Sequence, residues 1–275
     1  MKKVLTVLFL ASFAAGLLAQ RPPEPKPASA SHVVAMPARG VEPGVEALLP
    51  KLGITCHGGS VIAHPKVVEI FWGPNFANPA SPDFTYAQNL IAYRNQLGST
   101  HVWSLLTQYG VLPSNLGAGT PDWFDTSTPP TNVTDSAVRS KVTAYLATHA
   151  FDANTIYEVF LPSTSYSSSG GSTSCGGPAL AYCTYNATFL SGTSTVKYTV
   201  QPYASCAGCQ VTGWTAAQNQ EHLVEHSTVD AVTSGCFDPT GLGVADKCAW
   251  SPAPFLLGGY GYQYIWSNAA NACAR

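Results

Sequence analysis

Apolar and polar positions recur along the chain in patterns that divide it into elements. KVVEIFWG (66–73) and NTIYEVFLP (154–162) are β-branched and aromatic runs closed by Gly or Pro, which predicts strands. TVKYTVQPY (195–203) and GYQYIW (261–266) predict two more. Helical spacing marks 83–97 through Phe84, Leu90, Ile91, Tyr93 and Leu97, and it recurs in 101–109 and 135–149. Ser/Gly/Thr-rich stretches, 163–177 above all, separate these segments as loops. The sum predicts a single α/β (α+β) domain, a mixed sheet flanked by helices.

The best-defined helix covers 215–234. Thr215 precedes Gln218 by three residues, which is capping-box spacing, and Gly235 supplies a natural stop. Ala217, Val224 and Ala231 fall on one side and are expected to pack on the sheet. His222, Glu225 and His226 share the opposite arc of about 100°, with Asp230 at its edge. Such a face is ordinarily a solvated surface. Glu69 and Glu158, each inside an apolar strand, are expected to face outward from the sheet.

The first residues change the picture of where this domain resides. Lys2 and Lys3 precede an apolar run from Val4 to Leu18 and small residues near Ala19, so 1–19 reads as a secretory signal and the protein as secreted, extracellular or periplasmic. The run is too short for a membrane span, and none is expected later. Residues 20–52 are proline-rich and predict an extended linker or poorly ordered arm, leaving 53–275 as the globular domain. Without Lys2 and Lys3 the net charge moves from −2 to −4, and no basic stripe is present, which argues against nucleic acid as a partner.

Eight cysteines in an exported chain predict up to four disulfides bracing the domain. Spacing leaves the connectivity open. Proximity in sequence favours Cys175–Cys183, Cys206–Cys209 and Cys236–Cys248, with Cys56–Cys273 tying the ends together. A redox or zinc role for C-A-G-C (206–209) is the weaker reading, because no second CxxC exists.

His222 and His226, four residues apart, stand about 6 Å apart along a helix axis, a spacing at which two imidazoles can share a metal. HLVEH (222–226) also fits the H-x-x-E-H pattern of inverted zinc peptidases, in which Glu225 would be the general base. A second register brings more of the chain with it. HSTVDAVT (226–233), GVADKCAW (243–250) and GGYGYQYIWSNAANAC (258–273), with HGGSVIAHPKVVEIFWG (57–73) upstream, resemble the EXORDIUM or phosphate-induced family of secreted proteins. WSLLTQYG (103–110) and VQPYASCAGCQVTGW (200–214) fit the same resemblance.

That resemblance implies a zinc-peptidase-like H-E-x-x-E helix followed by an E-I-x-D-x-C segment. Carried over by position, the motif histidine is His226, the second acid is Asp230, and the aspartate of the later segment is Asp246. The first glutamate of the motif is replaced by Ser227 and that of the later segment by Gly243. Glu225 is then the nearest available base, and His222, His226, Asp230 and Asp246 are the candidate ligands, a set suited to Zn²⁺. Two functions follow: a divergent zinc-dependent hydrolase acting on peptide or cell-wall material, or a non-catalytic extracellular binding protein. Other classes lack their signatures, with no G-x-S-x-G elbow, no P-loop and no dinucleotide fingerprint.

Overall fold

The computed structural model describes residues 33–41, 52–119 and 121–275. The expected signal at 1–19 lies outside the described residues. Six strands form the main sheet: β1 (Val34–Pro37), β2 (Lys66–Trp72), β3 (Trp123–Asp125), β4 (Thr155–Phe160), β5 (Tyr182–Ser191) and β6 (Ser194–Gln201). Their order is β1-β5-β6-β4-β2-β3. Pairing is antiparallel on the β1 side and parallel from β6 through to β3, so the sheet is mixed as expected. Four helices accompany it among the described residues: α1 (Pro82–Leu97), α2 (His101–Ser104), α3 (Asp135–Leu146) and α4 (Ala216–Val232). None is long and apolar enough to cross a membrane.

Period-two alternation sorts the strand residues between two cores. Val67, Phe71, Ile156 and Phe160 face α1 and α4. Val68, Ile70, Trp72, Tyr157 and Val159 face α3, where Val138, Val142 and Tyr145 cover them. Each long helix starts at a side-chain cap: the hydroxyl oxygens of Ser81, Thr134 and Thr215 accept from the backbone N–H groups of Asp83, Ala137 and Gln218.

Several expectations are revised. Four residues of the proline-rich arm form the edge strand β1, and Ala35 pairs with Tyr185. The segment 261–266 is two short strands in different ribbons, Tyr260–Tyr262 and Ile265–Ser267. β5, which continues into β6 through a tight hairpin, was not foreseen. Glu69 and Glu158 do not face solvent: they sit opposite one another on neighbouring strands, both wholly buried, Glu158 against Thr228 of α4 and Glu69 near Arg94 of α1.

Four disulfides are present, but none of the favoured pairings. The bonds are Cys56–Cys236, Cys175–Cys206, Cys183–Cys209 and Cys248–Cys273. Segments distant in sequence meet at each bond, and only Cys56 and Cys236 are partners on paired strands. Cys206 and Cys209 flank one short helical turn and reach two different partners, fastening it to β5 and to the loop before it. In CHGGS (56–60), glycine is required by the backbone: a Cβ at Gly59 would stand 2.5 Å from the Cα of Gly235.

Candidate metal centre on helix α4

Helix α4 is buried all round, from Asn219 to Val232. Its sheet side is not purely apolar. Besides Val224 and Ala231 it presents Gln220, Ser227 and Thr228, which meet the polar residues of the sheet. Gln220 Nε2 donates to Gln201 Oε1 at 3.0 Å, Gln201 Nε2 donates to Ser227 Oγ at 2.6 Å, and Thr228 Oγ1 donates to Glu158. At the helix's far end the buried Lys197 Nζ donates to Ala231 O at 3.0 Å and Ser234 Oγ at 2.9 Å, placing a cation where the helix carbonyls accumulate negative charge.

The opposite side, expected to meet water, is covered by the chain's own C-terminal portion. Gly261 N donates to Glu221 Oε2 at 2.7 Å, Gln263 N to Glu225 Oε2 at 2.7 Å, and Ala245 N to Asp230 Oδ1 at 2.8 Å. Dimensions explain the match. Four residues of helix rise about 6 Å and two residues of strand about 6.6 Å, so acids at i and i+4 meet N–H groups at j and j+2. The acidic stripe therefore docks an extended segment, and burial of its carboxylates follows.

Three of the predicted ligands converge. His226 Nε2 lies 3.4 Å from Asp230 Oδ2 and 3.2 Å from Asp246 Oδ1. One donor atom from each residue lies within 4.8 Å of the other two. Donors held about 2.1 Å from a tetrahedral ion stand roughly 3.4 Å apart, so these separations fit a shared cation. His226 Nε2 and Asp230 Oδ2 are buried and make no hydrogen bond, which leaves both available as ligands. The remaining atoms are anchored: Asp230 Oδ1 by Ala245 N, Asp246 Oδ2 by Gly243 N at 3.0 Å, and His226 Nδ1 by Gln263 Oε1 at 3.1 Å.

Burial and mutual charge move the three side chains in different directions. Burial drives the Asp230 carboxyl well above its ordinary value, and the neighbouring Asp246 charge adds to the effect. For Asp246, burial is outweighed by the His226 ring 3.2 Å away, and its pKa is lowered. Burial alone would lower His226, but the adjoining carboxylates of Asp246 and Asp230 prevail and raise it.

His222 does not join this cluster. It is wholly buried between the indoles of Trp214 and Trp250, with ring centroids 5.7 and 5.1 Å away. Burial, with His226 and Arg39 nearby, lowers its pKa to about 3, so it is a neutral core imidazole. The donor set is accordingly one nitrogen and two carboxylates. That is richer in oxygen than the set expected from sequence, and it weakens the preference for zinc over manganese. Glu225 also stands outside the cluster. Burial raises it to about 8, partly offset by the Gln263 N–H that one of its oxygens accepts.

Two participants went unnoticed in the sequence. Gln263 reaches both Glu225 and His226, and only its position in YGYQY on a predicted strand hinted at an inward side chain. Gly243 lets the loop approach: a Cβ there would stand 2.6 Å from Asp230 Oδ1 and 3.2 Å from Asp246 Oδ2. A further buried group lies on the sheet side, where Arg94 Nη1 pairs with Asp122 and stands 3.4 Å from Glu69 Oε2. No family model, curated protein or solved structure matches the chain.

Proposed function

We propose that this chain is an exported protein that holds a divalent cation at His226, Asp230 and Asp246, and that the cation fastens α4 to the Asp246 loop in a non-catalytic extracellular binding protein. The reading is carried by the convergence of His226 Nε2 and Asp230 Oδ2, both buried and without hydrogen bonds, on Asp246 Oδ1. Structural ions are enclosed by their protein ligands, whereas catalytic ions keep one position open. Here the side chains of His226, Asp230 and Asp246 are 1%, 3% and 10% exposed, which favours enclosure. Export is supported by the charged and apolar start of the sequence together with the four disulfides. Peptide or cell-wall material would be its partner.

A base is also wanting in the motif position. Ser227 receives the amide of Gln201 on the sheet side, and one oxygen of Glu225 is committed to Gln263 N. Hydrolysis remains a second reading on one observation: Glu225, raised to about 8, lies in the range of a general acid–base group at neutral pH. A bound zinc ion would supply Lewis acidity, and Glu225 would hold the proton.

Elemental analysis of protein purified without chelators or refolding tests the proposal. Wild type is expected to carry stoichiometric divalent metal and His226→Ala none; metal-free wild type would sink it. On casein and purified peptidoglycan, wild type and Glu225→Gln are expected to be equally inert. Turnover that Glu225→Gln abolishes, with the metal retained, would replace this reading by the hydrolytic one.

A further inference from the structure

Gln263 is wholly buried, and its backbone N–H and both polar atoms of its side chain are committed. Its backbone N–H donates to Glu225 Oε2 at 2.7 Å, its Oε1 faces His226 Nδ1 at 3.1 Å, and its Nε2 donates to Ala245 O at 3.4 Å. The last contact fixes the amide orientation. A carbonyl oxygen can only accept, so the NH₂ end must face Ala245 O, and the oxygen end is left to the imidazole. An amide oxygen also only accepts. His226 Nδ1 must therefore carry the hydrogen, and the neutral ring keeps its lone pair on Nε2, the atom that faces Asp230 and Asp246, where a cation or the proton of a protonated carboxyl meets it.

From this geometry we infer that Gln263 is the positioning residue of the α4 site, holding His226 in the Nδ1–H tautomer with Nε2 directed at the two carboxylates. The inference rests on the cation reading above for its purpose but not for its geometry. Gln263 acts from both sides of the site at once: through His226 on the helix, and through Ala245, the residue before Asp246, on the loop. Polar partners of this kind on a ligating histidine typically change metal affinity by about 10–100-fold. The backbone bond to Glu225 survives any side-chain change at 263, so the segment stays docked on α4 when only the amide is removed.

The test compares wild type with Gln263→Met, which keeps length without an acceptor, and Gln263→Glu, which restores one. Ring ¹⁵N NMR on metal-free protein, with His226 assigned by its loss in His226→Asn and at a pH where the ring is neutral, reads the tautomer directly. Wild type and Gln263→Glu are expected to show Nδ1–H, and Gln263→Met a mixture shifted toward Nε2–H. Titration with Zn²⁺ is expected to give binding weaker by 10–100-fold in Gln263→Met and recovered in Gln263→Glu. A wild-type Nε2–H tautomer, a tautomer unchanged in Gln263→Met, or unchanged Zn²⁺ affinity in that variant would overturn the inference. Should wild type bind no cation, the function proposed above fails, while the tautomer comparison still decides the role of Gln263. If Gln263→Met does not fold, wild type against Gln263→Glu decides it: Nε2–H in either overturns the assignment.

Discussion

At the scale of single residues, position 243 separates what the motif resemblance implies from what this chain does. The motif expected from the sequence would put a glutamate there. In this protein even a methyl group would stand 2.6 Å from Asp230 Oδ1, so glycine is what lets the loop bring Asp246 to His226. Gly243→Ala is expected to push the loop outward and weaken Zn²⁺ binding at least tenfold while leaving the fold cooperative; calorimetric titration with unaltered affinity would refute this. His222 makes the complementary point. It lies four residues before His226, and Asp230 lies four after, so helix periodicity offers both neighbours equally. The loop carrying Asp246 settles the choice, and its placement depends on a chain reversal that local spacing does not encode. The sequence could name the candidates, but only the third dimension selects Asp230 and sends His222 to the indoles.

Helix α4 was the most legible element, because its start is written in four residues. Thr215 and Gln218 exchange hydrogen bonds in a capping box, and Gln218 Nε2 additionally donates to Gly259 O at 2.8 Å. Thr215→Ala removes one of the two reciprocal bonds and is expected to destabilise the protein by about 1 kcal/mol, read as a lower midpoint in urea unfolding with an unchanged slope. An effect under about 0.3 kcal/mol would show that packing alone sets the helix start. What the pattern could not reveal is the helix's burial. A stripe of Glu221, Glu225 and Asp230 reads as a solvated face until something covers it, and the cover is a distant segment whose backbone N–H groups carry no side-chain signature. The central strands were legible through β-branched runs. β5 was not, since YCTYNATFLS lacks a continuous β-branched run, and the disulfides failed because their partners come from segments that only the tertiary fold brings together.

Across the whole molecule, burying so many acids gives stability a dependence on pH opposite to the usual one for carboxylates. Glu158 is wholly buried beneath α4, and burial raises its pKa to about 7, with the hydrogen bond from Thr228 offsetting only part. In the unfolded chain the same carboxyl titrates near its ordinary value of 4.5. Below that value both states hold the proton and the folded state keeps its full stability. As pH rises from about 4.5 to 7 the unfolded chain releases the proton and the native one retains it, so stability falls, and it levels off above 7. One pKa unit corresponds to about 1.4 kcal/mol, which puts the loss from this residue on the order of 3 kcal/mol. Glu221, raised to about 7, acts in the same direction. Glu158→Gln keeps an acceptor for the Thr228 hydroxyl and has no proton to lose. It is expected to match wild type at pH 4 and to exceed it at pH 8. Chemical denaturation across that range decides the matter: a variant less stable than wild type at pH 8 would mean that the Glu158 carboxylate, with Arg94 and Thr228 beside it, is stabilised in its charged form after all.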